Sequence, residues 1–115
     1  MKHVIIAPLG PYMDDLFVGI REFPTERIIL VSSKEKMKEA EATKKKLEQF
    51  RIPCSIKEVR SDTHVWEATF EAIAQIKSAE KDKELLINVS TGDRETRCAA
   101  TSAAFVNGIK AFGVE

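Results

Sequence analysis

Five short segments typical of strands, separated by segments whose apolar residues recur at helical spacing, constrain the fold of this chain most strongly. Three of them are continuous apolar runs, and the third in the chain alternates apolar and polar residues, which is typical of an edge strand. The five segments cover residues 2–9, 27–31, 54–60, 85–90 and 110–115. Strands that alternate with helices require right-handed crossovers and a mostly parallel sheet. The sequence therefore predicts an α/β fold, a Rossmann-like open parallel sheet of order 3-2-1-4-5 with helices on both faces and the third strand at an edge. The residues expected to be fully buried are Ile5, Ile29, Val31, Leu86 and Ile87.

Residues that flank the apolar segments predict where the four helices begin and end. The fourth helix is rich in alanine, which should let it pack close to the sheet, and Asn107-Gly108 predicts a left-handed end for it. The second and third helices are expected to bury Phe50 and Val65, respectively, on their apolar faces. The expected N-terminal caps are Asp14 or Asp15 for the first helix, Ser32 with Glu35 for the second, and Asp62 or Thr63 for the third.

Length and charge limit what the chain can do. Its 115 residues are the size of one domain, so residues 1–115 are interpreted as a single unit. No run approaches the roughly 18 apolar residues of a membrane span. Eighteen basic residues balance eighteen acidic ones, so no global field attracts nucleic acid or a membrane. We therefore expect no direct nucleic-acid binding, and a local site must hold any polyanion.

The usual signatures of cofactor and metal sites are absent from the sequence. Gly10 stands alone after the first strand, without the G-x-G-x-x-G pattern, and no P-loop pattern occurs. His3 and His64 are too isolated for a metal cluster or a catalytic triad. We expect no cofactor and no metal, and the absence of a secretory signal favours a reducing cytoplasm. The residues expected in the core instead are Cys54, Cys98 and Trp66.

The loops that follow the strands are the candidate binding region, because ligands of open parallel sheets bind beyond the carboxyl ends of the strands. The loop after the first strand contains Leu9, Gly10 and Tyr12, and Ser32 follows the second strand. Tyr12 has two open interpretations, stacking on a base or simple packing. His64 follows the third strand, where a structural role is the leading interpretation.

The loop after the fourth strand carries the most informative residues. Ser90, Thr91 and Gly92 lie at a helix start, where hydroxyls and backbone amides bind anions, and Arg94 adds a fixed charge. Gly92 is expected to admit a ligand or to need a special backbone conformation. In the alternative interpretation Thr91 only caps the helix and Arg94 faces solvent. Asn88 on the buried strand needs partners, and it either contacts a ligand or ties loops together.

The segment Asn88–Arg94 resembles the pattern [DN]-x-[ST]-x-x-x-[RK] that follows the fourth strand in CARF domains, the CRISPR-associated Rossmann folds. Pro8-Leu9-Gly10, followed by Asp14, resembles the first ligand loop of an archaeal CARF group whose members often carry a winged-helix DNA-binding region. The resemblance covers essentially the whole chain. Two departures stand out: Arg94 replaces the lysine of many relatives, and Pro11 stiffens the first loop.

The resemblance implies a homodimer that binds a cyclic oligoadenylate, a second messenger of type III CRISPR immunity, across its two-fold axis. It implies a sensor that regulates an attached or partner effector such as a transcription regulator. No helix-turn-helix follows Glu115, so DNA is expected to be contacted only through a winged-helix region that this chain lacks. The ligand contacts that the resemblance implies are Leu9 and Gly10 in the first loop, Asn88 and Ser90 at the strand edge, and Thr91, Gly92 and Arg94 in the phosphate-binding turn.

Three other functions stay open at this point. A Rossmann enzyme acting on a nucleotide or sugar phosphate needs an acid or base, for which only His64 and Asp14 are placed. A ring nuclease that opens the cyclic ligand without metal is the second, and it should be slow because no general base is evident. A purely structural or subunit-interaction domain is the third.

Overall fold

Each of the five segments forms a strand in the computed structural model, which describes residues 2–60 and 62–114. The strand order is β3-β2-β1-β4-β5 and every pairing is parallel, which confirms the predicted fold class, strand order and edge position of the third strand. Ser61, in the predicted ligand loop after the third strand, and Glu115, in the fifth predicted strand, lie outside the described residues. The elements are β1 (His3–Pro8), α1 (Asp14–Glu22), β2 (Thr25–Ser32), a 3₁₀ turn (Lys34–Lys36), α2 (Met37–Gln49), β3 (Cys54–Glu58), α3 (Val65–Ala79), β4 (Glu84–Asn88), α4 (Arg94–Asn107) and β5 (Lys110–Phe112).

Two hydrophobic cores lie on opposite faces of the sheet, because alternate residues of a strand point to opposite sides. One core joins Ile6, Ile29 and Ile87 to residues of α3 and α4. The other joins Ile5 and Leu30 to residues of α1 and α2. The five residues expected in the core are all buried, as predicted: Ile5, Ile29, Val31, Leu86 and Ile87.

The end of α4 also agrees with the sequence. Its four alanines are buried, so the helix packs close to the sheet, and Gly108 ends it with a left-handed φ of 65°. In the described part of the chain, no helix is both long and apolar enough to cross a bilayer.

The three predicted helix caps are wrong. α1 begins after Met13 without a side-chain cap, and the acidic residues Asp14 and Asp15 lie inside its first turn. The chain makes a 3₁₀ turn before α2, and the hydroxyl of Ser32 donates to the Ser33 carbonyl oxygen at 2.9 Å instead of capping a helix. Residue spacing alone does not predict these caps, because capping depends on the local direction of the backbone.

The third helix is capped by His64, one or two residues later than predicted. Its Nδ1 accepts a hydrogen bond from the Trp66 backbone N–H at 3.2 Å. Asp62 instead pairs with Arg60 at 3.0 Å, and the Thr63 hydroxyl donates to Glu67 at 3.1 Å. His64 therefore has a structural role, as the sequence favoured.

Exposure corrects four expected core positions. Phe50 is 63% exposed because α2 ends one residue before it, and Val65 is exposed at the first turn of α3. Cys98 is exposed on α4, whereas Cys54 is buried as expected and burial raises its thiol pKa to about 11. Trp66 is only half-buried and stacks on Phe70 at a ring-centroid distance of 5.4 Å.

Candidate functional site

The loops after β1 and β4 are locked together at the carboxyl edge of the sheet, where the strand order reverses. A Cβ on Gly10 would lie 2.6 Å from the Gly92 Cα and 2.7 Å from the Thr91 carbonyl oxygen. The Thr91 hydroxyl donates to the Pro8 carbonyl oxygen at 2.7 Å, and the Tyr12 N–H donates to the Thr91 carbonyl oxygen at 3.2 Å. Two loops far apart in sequence thus form one rigid surface.

A cleft opens beside this junction and consists of two adjoining cavities that share Leu9, Lys36 and Asp93. The larger shallow cavity has a volume of about 380 Å³ and lies against Gly10 and Pro11. The deeper one has a volume of about 230 Å³ and reaches across the ends of β1, β2 and β3. Its wall is apolar at Pro8, Leu9, Val31, Val59 and Val65, and polar at Ser33, Thr63, Thr69 and Thr96.

Charges of both signs border the cleft. Lys36 and Arg60 supply positive charge, and Glu35, Glu39 and Asp93 supply negative charge. Arg60 is already paired with two carboxylates, Asp62 at 3.0 Å and another on α3 at 3.4 Å. Within residues 2–60 and 62–114, Lys36 takes part in no ion pair, so it is the cation of the cleft with charge available to an anion.

The N-terminus of α4 is capped by its own carboxylate. Asp93 accepts hydrogen bonds from the Thr96 backbone N–H and from the Thr96 hydroxyl, both at 2.9 Å. The hydrogen bond from the Thr96 backbone lowers the pKa of Asp93, so this residue is ionised at neutral pH. The helix dipole is therefore satisfied by Asp93, and the alternative that Thr91 is the cap is wrong.

The most deeply buried of the predicted ligand residues hold the loops in place. Asn88 donates from its amide to the Asp15 carbonyl oxygen at 3.2 Å and accepts from the Ser90 N–H at 3.0 Å. Thr91 is fully buried as well, and its hydroxyl is committed to Pro8. Asn88 thus ties the strand end to α1, and direct ligand contacts by these residues stay predictions.

Ser32, Ser90 and Gly92 are also buried. The Ser90 hydroxyl accepts from the Val114 N–H, and a Cβ on Gly92 would lie 2.2 Å from the Thr96 hydroxyl oxygen. Gly92 does not have a positive φ, so of the two expectations a special backbone conformation is ruled out. Packing against Thr96 requires a glycine here, and the admission of a ligand stays a prediction. Their direct contacts with a ligand stay predictions.

The remaining predicted residues are accessible or line the cleft. Leu9 lines both cavities and Gly10 lines the shallow one. Tyr12 is 53% exposed and Arg94 is exposed, and both lie outside the lining of the cleft. The structure thus brings Leu9 and Gly10 to the cleft and leaves Tyr12 and Arg94 on the adjoining surface.

Ser33, which follows the second strand beside Ser32 in a predicted ligand loop, lines the cleft. Sequence reasoning missed three residues of this region: Lys36, Arg60 and Arg97. The first two line the cleft. Arg97, one turn into α4, donates from Nη2 to the Ser90 carbonyl oxygen at 3.1 Å, and its Cζ lies 5.8 Å from the centre of the Tyr12 ring. The signal for Arg97 was its position three residues after Arg94, on the helix that starts at the predicted turn.

Solved structures share the fold across nearly the whole chain. Protein VC1899 from Vibrio cholerae matches with a TM-score of 0.85, 15% identity, and coverage of 98% of this chain and 30% of that one. Can2 from Sulfobacillus thermosulfidooxidans, solved in complex with cyclic tetra-adenylate, matches with a TM-score of 0.81 and 15% identity. The match covers 99% of this chain and 32% of Can2. Csm6 from Enterococcus italicus, bound to cyclic hexa-2'-fluoro-hexa-dAMP, matches with a TM-score of 0.75 and 12% identity. The match covers 100% of this chain and 34% of Csm6.

These similarities establish a Rossmann-like α/β fold that the chain shares with Can2 and Csm6. The chain spans about a third of the length of each of these proteins. No curated protein matches the chain by sequence. A family model described as HFX_2341_N:-like, N-terminal, matches residues 3–115.

Proposed function

The chain belongs to the family described as HFX_2341_N:-like, N-terminal, and we propose that this domain binds a cyclic oligoadenylate and acts as a sensor in type III CRISPR signalling. One observation carries the proposal: the CARF-like segment Asn88–Arg94 meets the first loop at the switch point of the sheet, with a cleft beside it. The fold that holds this junction is shared with Can2, which was solved in complex with cyclic tetra-adenylate.

The proposal includes a symmetric homodimer. A cyclic oligoadenylate with an even number of nucleotides has a two-fold axis, and a two-fold protein dimer offers it the same loops twice. In each protomer the loops after β1 and β4 would face the axis, and the cleft would accept the parts of the ring that extend away from it. The dimer would regulate an attached or partner effector, such as a transcription regulator.

Two cations without an ion-pair partner support an anionic ligand, although the carboxylates that border the cleft outnumber its cations. Arg94 and Lys36 form no ion pair with any residue of the described ranges, 2–60 and 62–114, and both side chains are exposed at this edge. A cation without a protein partner can bind a phosphate without first breaking an ion pair. Cytoplasmic location belongs to the same proposal, because both cysteine thiols are free.

A sensor is favoured over an enzyme by the position of His64. Its Nδ1 caps α3 and lies 3.3 Å from Glu95, and the side chain does not line the cleft. A nucleotide or sugar-phosphate enzyme and an efficient ring nuclease both need a general base within reach of the ligand, and His64 is not placed to act as one. In the described part of the chain the bases that border the cleft are carboxylates, and Asp93 among them is committed to capping α4. We therefore expect any ring opening by this domain to be slow and to depend on alignment of the ribose hydroxyl with its phosphate.

Thermal unfolding against a panel of nucleotides tests the proposal. Cyclic tetra-adenylate or hexa-adenylate at about 100 times its Kd should add about 2.7 kcal/mol to the free energy of unfolding. The expected result is a rise in Tm of several degrees with one cyclic ring, and no rise with linear oligoadenylate, NAD, ATP or a nucleoside diphosphate sugar. A rise with the sugar nucleotide or ATP and none with either ring would favour the enzyme instead.

A further inference from the structure

Tyr12 and Arg97 form an exposed pair outside the cleft, on the surface that adjoins the locked loops. The Arg97 guanidinium lies over the Tyr12 ring at 5.8 Å from its centre and donates to the Ser90 carbonyl oxygen at 3.1 Å. Tyr12 is itself held by the hydrogen bond from its backbone N–H to the Thr91 carbonyl oxygen. The Arg97 side chain and the Tyr12 backbone are thus both positioned by the loop that follows β4.

The charge of Arg97 is not neutralised by a carboxylate. The described ion pairs involve Arg27, Arg60, His64 and Lys83, and none in residues 2–60 or 62–114 involves Arg97. A guanidinium has five N–H donors. The carbonyl of Ser90 accepts from one nitrogen, so donors are left for a second, anionic acceptor.

An ordered cation beside an exposed aromatic ring matches the two chemical parts of a nucleotide. A phosphate accepts bidentate hydrogen bonds from arginine, and a base stacks on an aromatic face. We propose that Arg97 binds a phosphate of the ligand while Tyr12 stacks on the neighbouring base. This inference rests on the proposed function and assigns Arg97, rather than Arg94 alone, to phosphate binding.

The environment of Arg94 explains why it is the weaker phosphate ligand. Arg94 is the first residue of α4 and directly follows the ionised Asp93, which occupies the helix N-terminus. Its side chain forms no hydrogen bond with the described part of the chain, so it must be ordered when a ligand binds. Arg97 already has one fixed hydrogen bond, so binding costs it less side-chain entropy.

Calorimetric titration of the full chain with cyclic tetra-adenylate and cyclic hexa-adenylate tests the assignment. Arg97→Ala should weaken binding of the ring by about 10- to 100-fold, as expected for loss of a hydrogen bond to a charged group. Arg94→Ala should weaken it less. Arg21→Ala removes an exposed arginine from the far end of α1 and should bind like the wild type, within about twofold of its Kd.

Two further variants separate ligand contact from structural support. Arg97→Gln keeps a donor for the Ser90 carbonyl but loses the charge, so it should remain folded, bind weakly and show a smaller dependence of affinity on salt. Tyr12→Phe keeps the ring and should bind within about twofold of the wild type, whereas Tyr12→Ala should lose about 5-fold or more.

The outcomes distinguish this inference from the function on which it rests. If the wild type binds a ring and both Arg97 variants bind it equally well, Arg97 is not a phosphate ligand and the proposed function stands. If Tyr12→Ala binds the ring as tightly as the wild type, Tyr12 does not stack on a base, and the proposed function again stands. If the wild type binds neither ring, the proposed function is wrong and the assignment falls with it.

Discussion

Gly10→Ala should destabilise the domain and abolish ring binding, although it adds a single methyl group. The new Cβ would lie 2.6 Å from the Gly92 Cα, 2.7 Å from the Thr91 carbonyl oxygen and 3.0 Å from the Asp93 nitrogen. All three are backbone atoms, which cannot move aside as a flexible side chain can. The loops after β1 and β4 must separate, and such overpacking costs about 1–3 kcal/mol and occasionally more.

Gly108→Ala is the matched control for this substitution. No atom lies within 4 Å of a Cβ at Gly108, but its φ of 65° is left-handed. Alanine there should cost about 1–2 kcal/mol of conformational strain and should leave ring binding intact, because Gly108 follows the far end of α4. Urea unfolding and calorimetry of both variants measure the two effects. Wild-type stability and affinity in Gly10→Ala would show that the two loops are not locked.

Ile29→Ala should lower the free energy of unfolding by about 2–5 kcal/mol, the cost of an aliphatic truncation in a core. Ile29 pairs with Ile6 of β1 and Ser55 of β3, is 5% exposed, and belongs to the core beneath α3 and α4. Neighbouring strands cannot collapse into the cavity without breaking their hydrogen bonds, so most of it should persist.

Ile56→Ala on the edge strand β3 provides the comparison, because Ile56 is only half-buried. The same change of side chain there should cost less than half as much. The measurement is urea unfolding of both variants and the wild type, with equal m-values as evidence of two-state behaviour. Equal losses at both positions would contradict the assignment of Ile29 to a tightly packed core.

The fold was predictable because its signals are long and repeated. Each buried strand contains a continuous run of aliphatic residues, such as the one with Ile28 and Ile29, and burial on both faces of a parallel sheet favours that pattern. The end of α4 was predictable because Gly108 needs a left-handed φ that few other residues adopt. The N-terminal helix caps were not predictable. For α3, Asp62, Thr63 and His64 are adjacent, and only the backbone direction decides which side chain accepts from a free N–H.

The meeting of the two loops was predictable, whereas their detailed contacts were not. The switch point and the segment Asn88–Arg94 predicted that the loops after β1 and β4 lie together at one edge of the sheet, as they do; that this edge binds a ligand stays a prediction. Sequence cannot show that Asp93 accepts the amide hydrogen bonds expected for a phosphate, or that the Thr91 hydroxyl turns inward to Pro8. Arg97 was missed because its partners, the Ser90 carbonyl and the Tyr12 ring, come from two different loops. Cys98 was wrongly predicted to be buried. Its position on α4 lies away from the buried face formed by Ala99, Ala100 and Ala103.

The measurement that tests the central claim most directly is the binding stoichiometry of the ring. Calorimetry with cyclic tetra-adenylate and cyclic hexa-adenylate, together with light scattering of the complex, gives the number of rings per chain and the number of chains per particle. A sensor that holds its ligand on a two-fold axis predicts one ring per two chains and a dimeric particle. One ring per chain in a monomeric particle, or no binding of either ring, would contradict it.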